Sequence, residues 1–309
     1  MSDTKEKIKA DLPTLQKKAN DIRISIIEML LEAKSGHTGG PLGMADIFTA
    51  LYFHILKHDP KKPDWPERDR LVLSNGHICP VLYATMAHAG YFPLEALQTL
   101  RKFGSILQGH PHRDFLPALE TSSGPLGSGL SQAVGMALAD RIDRGRTLDR
   151  EKGSTSTPLK FFYALLSDGE MDCGNTWEAG LLAGKEKLGN LIGIIDRNNI
   201  QIDGFTEDIM PLEPFRDKWE AWNWHVIEVN GHDFEQIISA VEEAKAVFNK
   251  PSMIIAHTIP GKGVSFMERR FEWHGMPPDT MEVSGAPKKG EQGKAALSEL
   301  RNFKAQILK

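Results

Sequence analysis

Two apolar, strand-like runs that each end in a polar turn constrain the fold of this chain most. The runs cover residues 159–167 and 191–196, and the turns after them are Asp168-Gly169 and Asn198-Asn199-Ile200. Residues 177–188, between the runs, have a helical pattern, so the unit is strand–helix–strand. Such crossovers are right-handed and join parallel strands, so both turns are expected at the same edge of a sheet.

The two turns offer a carboxylate, a side-chain amide oxygen and backbone carbonyls. Such a set suits a hard cation such as Mg²⁺, which keeps open coordination positions for phosphate oxygens. The pairing therefore predicts a diphosphate anchored by a metal ion. Asp-Gly and Asn-Asn are also ordinary turn residues after strands, so a purely architectural role is the alternative.

The remaining chain alternates between helical and strand-like patterns. Apolar residues recur at three- and four-residue steps over 15–33, and this helix is expected to stop at a turn over Ser35–Pro41. Further helices are expected over 44–56, up to Ala89, over 128–144, over 234–248 and after Gly290, and further strands over 71–73, 225–229 and 252–259. The alternation predicts an α/β fold with a mainly parallel sheet flanked by helices. We assign residues 1–285 to one domain and 286–309 to a C-terminal tail, with an exposed loop over 145–158.

Composition excludes several classes of protein. The 309 residues are 40% hydrophobic and 25% charged, and the net charge of −4 with interspersed signs gives no footprint for nucleic acid. No apolar run reaches the roughly 18 residues of a membrane span, and residues 1–10 lack the apolar core of a signal peptide. Cys79 and Cys173 do not form a disulfide framework, so a reduced, cytoplasmic setting is expected.

A glycine-rich segment over residues 123–131 leads into the predicted helix 128–144. Free amides at the start of a helix attract phosphate, and glycine lets a flat ring approach the backbone closely. The segment lacks the Gly-Lys-Ser/Thr of a phosphate loop, and Gln132 stands where a dinucleotide fold has its third glycine. A tight entry into the helix is therefore the competing interpretation.

Four histidines lie in turns flanked by glycine: His37, His77, His110 and His274. Loops of this kind place functional groups on a scaffold, and imidazole can donate, accept and move protons near neutral pH. These four are therefore candidates for handling sugar hydroxyls and phosphates. A zinc site at His110 and His112 would lack the usual spacing of ligands, so we do not expect one.

Seven segments occur together in an order that resembles the N-terminal, diphosphate-binding half of transketolase. They are AKSGHTGGPLG (33–43), LSNGHICPVLY (73–83), QGHP (108–111), SSGPLGSGLSQAVGMALA (122–139), SDGEMDCGNTWEA (167–179), DRNNIQIDG (196–204) and EWHG (272–275). The resemblance covers residues 10–287, most of the chain. It implies the thiamine diphosphate-binding fold and the transfer of a two-carbon ketol unit from a ketose phosphate to an aldose phosphate, as in the pentose phosphate pathway.

The resemblance also implies roles for individual residues. The metal, Mg²⁺ or Ca²⁺, would be held by Asp168, Asn198 and the backbone carbonyl of Ile200. Thiamine diphosphate would be bound by His77, Gly124, Pro125, Leu126, Asp168, Gly169, Asn198 and His274. The catalytic histidines would be His37, His77, His110 and His274, with His37 and His110 facing the substrate.

A partner chain is the next implication of the resemblance. Full-length transketolases continue into a pyrimidine-binding domain, which supplies the glutamate that activates the cofactor, and this chain ends at Lys309. We therefore expect the pyrimidine domain on a separately encoded subunit, in an α₂β₂ assembly with the cofactor between unlike subunits. Cys173 stands where transketolases usually carry a glutamate that connects the two active sites. Common and unusual sugars, such as sulfo-sugars and branched sugars, are equally compatible with the sequence.

Two other functions fit parts of the pattern. A decarboxylating subunit of a 2-oxo acid dehydrogenase also has a DG…N fingerprint, but GPLGSG and SGHTGGPLG favour transketolase. A non-catalytic or regulatory subunit that binds thiamine diphosphate is compatible with Cys173. Such a carrier would not require all four glycine-flanked histidines, so we expect an enzyme.

Overall fold

A computed structural model describes residues 10–145 and 159–307 of the chain. The helices α1 to α9 cover Leu12–Ala33, Gly39–Ala50, Cys79–Ala89, Gly129–Gly145, Gly174–Glu186, Thr206–Ile209, Phe215–Ala221, Phe234–Ala246 and Gln292–Ile307. The strands β1 to β7 cover Arg70–Leu73, Phe162–Ser167, Leu191–Arg197, Ile200–Gln201, Gly204–Phe205, His225–Asn230 and Ser252–His257. Turns of 3₁₀-helix cover Gly76–Ile78, Leu94–Thr99, Gly169–Asp172 and Phe271–Trp273, and a π-helix over Leu51–Ile55 continues α2.

Five strands form one parallel sheet in the order β1-β2-β3-β7-β6. Leu73 lies opposite Leu165 and Ser167 lies opposite Asp196, so β1, β2 and β3 end side by side. Both β2 and β3 are buried along their whole length. Strands buried on both faces are continuous apolar runs in the sequence. The predicted α/β fold with a parallel sheet flanked by helices is confirmed.

Helices cover both faces of the sheet. On one face the helices α1, α2, α3 and α8 share a core with sheet side chains that include Tyr163 and Leu165. On the other face α4, α5 and α7 pack against Phe162, Ala164 and Leu166. Successive residues of a strand point to opposite faces, so β2 contributes to both cores. The sheet is the middle of three layers, and its carboxyl edge is held from both sides.

Helix α2 begins earlier than the sequence pattern predicts. The pattern predicts a turn over Ser35–Pro41, but α2 starts at Gly39. Pro41 lies in the first turn of α2, where N–H groups have no partner within the helix, so its missing N–H is tolerated. A Cβ on Gly40 would lie 2.8 Å from Ile78 Cγ2, so this glycine is needed for close packing. The predicted turn is wrong for residues 39–41.

The segment after β3 contains elements that hydrophobic periodicity does not predict. The strands β4 and β5 form an antiparallel hairpin, and α6 and α7 follow it. These elements are too short to show a period. Trp219 of α7 is fully buried and stacks on Trp177 of α5 with ring centroids 5.0 Å apart, so tertiary packing stabilises α7. The sequence predicts a loop over residues 145–158. Its first residue, Gly145, is the last residue of α4, and residues 146–158 lie outside the described part of the chain.

Helix α9 packs along α1. Ala296 and Leu300 are fully buried in the core that α1 also lines, and Asn20 Nδ2 donates to the Leu300 carbonyl at 2.9 Å. The boundary predicted after residue 285 places α9 outside the first domain in the sequence. In the structure, however, α9 packs into the core of that domain. Among the described residues, no helix is long and apolar enough to cross a bilayer.

Close packing of α5 makes a prediction about two helical glycines. A Cβ on Gly184 would overlap the Trp222 carbonyl oxygen, whereas a Cβ on Gly135 of α4 would meet nothing within 4 Å. We expect Gly184→Ala to lower the free energy of unfolding by about 2 kcal/mol through overpacking. The matched control Gly135→Ala should raise it by about 0.5–1 kcal/mol, because alanine is the better helix former. Urea unfolding of the two variants checks this, and equal stabilities would contradict the described packing.

Candidate functional site

The carboxyl ends of β2 and β3 bring the two polar turns of the sequence together. Asp168 follows β2 directly, and Asn198 follows β3. The Asn199 N–H donates to Asp168 Oδ2 at 2.6 Å, so the turns are in direct contact. Asn199 has a left-handed backbone with φ of 64°, a conformation that asparagine tolerates better than most residues. The architecture that the strand–helix–strand pattern predicts is therefore present.

Asp168 is a buried carboxyl group whose charge the protein compensates only in part. Its Oδ1 accepts from the Gly169 N–H at 2.8 Å, and Arg197 Nη1 lies 3.4 Å from Oδ2. Burial, and secondarily the nearby Asp196, nevertheless raise the pKa of Asp168 from 3.8 to about 7. A bound cation would favour the ionised carboxylate and offset the cost of its burial. This environment fits a metal ion.

Asn198 is oriented by its neighbours. Its Nδ2 donates to Asp196 Oδ2 at 2.8 Å, and its Oδ1 accepts from the Ile200 N–H at 3.0 Å. Thr258 donates to the other oxygen of Asp196, so the amide is fixed through a chain of hydrogen bonds. In the described part of the chain, no group of three or more His, Cys, Asp and Glu side chains could hold a metal. The available set at this edge is a mixed one of carboxylate, amide and carbonyl oxygens.

Three of the four glycine-flanked histidines form a cluster. The ring centroids of His37 and His77 lie 4.8 Å apart, those of His37 and His274 5.6 Å apart, and those of His77 and His274 5.4 Å apart. His37 comes from the turn between α1 and α2, His77 from the 3₁₀ turn after β1, and His274 from the turn after Trp273. Phe271, in the turn before His274, packs on Phe205 of β5 with ring centroids 5.9 Å apart. The cluster is thereby tied to the hairpin that carries Ile200.

The clustered histidines are held in the neutral form. Burial, and then the neighbouring His274, lower the pKa of His37 from 6.5 to about 4. Burial alone lowers the pKa of His274 to about 4. Burial and the adjacent His37 lower the pKa of His77 well below its usual value. A neutral imidazole has one donor and one acceptor nitrogen, so each ring can donate one hydrogen bond and accept another at neutral pH.

His110 makes no ring contact with this cluster but is near enough to help lower the pKa of His37 and His77, and it lies beside the glycine-rich segment. A Cβ placed on Gly124 would lie 3.6 Å from His110 Cγ. Gly124 has a positive φ of 148°, which a residue with a side chain rarely adopts. Pro125 is exposed and Leu126 is 40% exposed, so the segment presents an apolar surface next to His110. That surface suits a flat ring better than a phosphate group.

Two amides at the entry to α4 are already hydrogen-bonded within the protein. The Gly127 N–H donates to Glu170 Oε1 at 2.6 Å, and the Gly129 N–H donates to Ser74 Oγ at 2.9 Å. These two amides are therefore not free to bind phosphate, which favours the tight helix entry at Gly127 and Gly129. Glu170 places a carboxylate of the protein close to the start of α4, where the helix dipole favours negative charge.

Sequence reasoning missed several residues of this edge. Arg101 has a left-handed backbone with φ of 61°, and its guanidinium donates to Ser35 Oγ at 2.7 Å beside His37. Arg197 and Asp196 are buried next to Asp168 and Asn198, and Glu170 is fully buried two residues after Asp168. Arg197, Asp196 and Glu170 are charged residues at or shortly after the ends of apolar strands, and this pattern could have indicated them. No local pattern marks Arg101.

Several buried polar atoms at this edge have no partner in the described protein. They are the Nδ1 atoms of His37 and His274 and both side-chain polar atoms of Asn75, two residues before His77. Buried polar atoms are normally hydrogen-bonded, so a group of this kind points to a ligand. Polar ligand groups near the histidines, a cation near Asp168 and an apolar ring near Leu126 together fit thiamine diphosphate with a divalent metal ion.

Comparison with known proteins gives the class to which this fold and site belong. The family described as "Transketolase, thiamine diphosphate binding domain" matches residues 14–293. The chain is thus a thiamine diphosphate-binding α/β protein, as the sequence predicts. It belongs to the transketolase family.

Similar proteins include components of transketolases made of more than one chain. The chain is 45% identical over 262 residues to 6-deoxy-6-sulfo-D-fructose transketolase subunit SqwG of Clostridium sp. (strain MSTE9), a match that covers 85% of this chain and 90% of that protein. It is 42% identical over 261 residues to an apulose-4-phosphate transketolase subunit of Phocaeicola vulgatus, covering 84% and 88%. The solved transketolase of Leishmania mexicana matches with a TM-score of 0.81 at 33% identity, over 97% of this chain and 45% of that one. The chain therefore spans less than half of that transketolase. These matches favour a transketolase subunit over the decarboxylating and non-catalytic alternatives.

The electrostatics of the histidine cluster predict its titration. His37 and His274 should titrate with pKa values of about 4, because burial opposes their protonation. In the unfolded chain these rings take up protons near pH 6.5, whereas in the folded chain they resist protonation until the pH is near 4. Protonation of the rings therefore does not reduce the free energy of unfolding above pH 6.5, and reduces it progressively as the pH falls towards 4. Histidine C2–H resonances followed by NMR, assigned with His37→Asn and His274→Asn, measure both values. A midpoint near 6.5 for either ring would show that it is not buried as described.

Proposed function

We propose that this chain is the N-terminal subunit of a thiamine diphosphate-dependent transketolase. It would transfer a two-carbon ketol unit from a ketose phosphate to an aldose phosphate. The observation that carries the proposal is the meeting of Asp168 and Asn198 at adjacent strand ends, in a chain of the transketolase family. Assignment to the cytoplasm and to the pentose phosphate pathway is part of the same proposal.

The metal site would consist of Asp168, Asn198 and the carbonyl of Ile200, with Mg²⁺ or Ca²⁺ as the ion. Asp168 supplies the charge, and its buried position makes a cation favourable. Asn198 already has its Nδ2 committed to Asp196, so its Oδ1 is the atom that faces other groups. Oxygen donors of this kind suit a hard cation that also coordinates phosphate oxygens.

The cofactor would lie along the same edge. Its diphosphate would contact Gly169, His77 and His274, and its rings would lie against Gly124, Pro125 and Leu126. When bound, thiamine diphosphate supplies the electron sink that the breaking of a carbon–carbon bond requires. His77 and His274 are neutral near pH 7, so they would bind phosphate oxygens by N–H donation rather than by charge.

The substrate would be handled by His37 and His110. The neutral His37 can accept a proton from a sugar hydroxyl at one ring nitrogen or donate a hydrogen bond to a carbonyl oxygen from the other. Burial and the nearby Arg101 lower the pKa of His110, which keeps that ring available as a proton acceptor too. His110 is exposed beside the loop of Gly124, where a substrate can reach it.

A separately encoded pyrimidine-domain subunit would complete the enzyme, giving an α₂β₂ assembly. Support comes from the two relatives named as transketolase subunits, which this chain matches over 90% and 88% of their lengths. The sugars named for those relatives, a sulfo-sugar and a branched sugar phosphate, mark unusual ketoses as substrates worth testing.

Reconstitution tests the proposed function directly. The chain alone should show no ketol transfer, because the activating glutamate would come from the partner. Addition of the pyrimidine-domain subunit, Mg²⁺ and thiamine diphosphate should give transfer from a ketose phosphate and no decarboxylation of pyruvate. The measurement is product formation from a panel of ketose and aldose phosphates that is extended to the sulfo-sugar and branched-sugar classes. Turnover by the isolated chain would contradict the split arrangement, and pyruvate decarboxylation would favour the 2-oxo acid dehydrogenase alternative.

Asp168→Ala tests the metal site. The substitution removes one ligand and its charge, so Mg²⁺-dependent binding of thiamine diphosphate should fall by at least about a hundredfold, the lower part of the range for loss of a buried charge partner. Calorimetric titration of the reconstituted protein measures this. Asp172→Ala, an exposed aspartate in the same turn, is the matched control and should bind normally. Unchanged affinity in Asp168→Ala would remove Asp168 from the metal site.

A further inference from the structure

Glu170 is a fully buried carboxylate to which neither the sequence motifs nor the proposed chemistry assign a role. It lies in the 3₁₀ turn after Asp168 and makes three hydrogen bonds. Its Oε1 accepts from the Gly127 N–H at 2.6 Å and from the Ser74 hydroxyl, and its Oε2 accepts from the Ser167 N–H at 3.2 Å. All three donors are neutral, so the contacts form a hydrogen-bonded clamp rather than an ion pair.

The clamp joins the glycine-rich loop to the ends of two strands. Ser74 follows β1 and Ser167 ends β2, while Gly127 precedes α4. Ser74 also accepts from the Gly129 N–H at 2.9 Å, so both amides at the helix entry are tied to the sheet. A carboxylate at the N-terminus of α4 is further stabilised by the helix dipole.

Gly127 packs closely beside the turn that carries Cys173. It has a φ of 84°, and a Cβ there would lie 2.6 Å from Cys173 Cβ, so glycine is required at this position. At the other end of the loop, Gly124 lies beside His110, because a Cβ on Gly124 would lie 3.6 Å from His110 Cγ. Loss of the clamp would therefore release the apolar surface of Pro125 and Leu126 without touching the metal ligands. Asp168 has its own hydrogen bonds from Gly169 and Asn199 and does not depend on Glu170 for its orientation.

We propose that Glu170 is a positioning residue for the thiamine part of the cofactor. It holds the loop 124–127 where the rings bind and does not contribute to the diphosphate end of the site. The proposal rests on the proposed function, because it requires that the chain bind thiamine diphosphate. Ser74 acts with Glu170 as the second member of the clamp.

Two probes separate the two ends of the site: thiamine diphosphate, and inorganic pyrophosphate, which lacks the rings. Both are titrated with Mg²⁺ into the protein reconstituted with its partner subunit. Glu170→Ala should weaken the binding of thiamine diphosphate by at least about tenfold, the loss expected when buried hydrogen bonds are removed. It should weaken the binding of pyrophosphate by less than about twofold. Ser74→Ala should show the same selectivity to a smaller degree.

Conservative replacement gives a rescue test. In Glu170→Gln the amide oxygen can still accept from Gly127 and Ser74, but the amide nitrogen would face the Ser167 N–H, donor against donor. Thiamine diphosphate affinity should therefore lie between those of the wild type and Glu170→Ala. Glu235→Gln, an exposed position on α8, is the control for the chemical change and should bind both probes normally. Glu170→Gln and Ser74→Ala also provide the test if Glu170→Ala does not fold.

The possible outcomes distinguish the two proposals. Selective loss of thiamine diphosphate binding supports the positioning role. Equal loss of both probes shows that Glu170 only maintains the fold, and unchanged binding of both shows that the clamp is not needed; either result overturns the inference while the proposed function stands. A wild-type protein that binds neither probe overturns the proposed function, and this inference with it.

Discussion

The burial of Asp168 at the end of β2 is the constraint on which the rest of the site depends. A buried carboxylate costs free energy unless hydrogen bonds and charges compensate it. Two backbone amides donate to Asp168 and Arg197 lies nearby, yet burial still raises its pKa to about 7. The fold sustains this cost because the register of β2 and β3 fixes both turns and because helices pack on both faces of the sheet.

The signals for this edge are local in the sequence, which is why much of it could be predicted. The runs that become β2 and β3 are apolar throughout because both of their faces are buried. One handedness is strongly preferred for the crossover between parallel strands, so the pattern alone places Asp168 and Asn198 at one edge. Apolar periodicity likewise indicated α1 and α8, whose buried residues belong to the core on one side of the sheet.

The remaining features depend on contacts between distant parts of the chain, and no local pattern encodes them. The glycine-rich segment before α4 suggests free amides for a phosphate, but the Gly127 N–H donates to Glu170 from the turn after β2. Similarly, α2 starts at Gly39 because residues around Ile78 and Trp273 pack where side chains would otherwise be. Of the four glycine-flanked histidines, three have rings in mutual contact, and His110 acts on His37 and His77 only through its charge, although all four look alike in sequence. This difference is a property of the tertiary fold.

Burial acts on the two kinds of titratable group at this edge in opposite directions. It raises the pKa values of Asp168 and Asp196 and lowers those of His37 and His274. Neutral imidazoles offer a diphosphate hydrogen bonds but no positive charge, and Asp168 would repel it. A diphosphate that shares a cation with Asp168 avoids this repulsion, because the cation compensates both anions. The neutrality of the histidines therefore favours the proposed metal ion as much as the proposed oxygen ligands do.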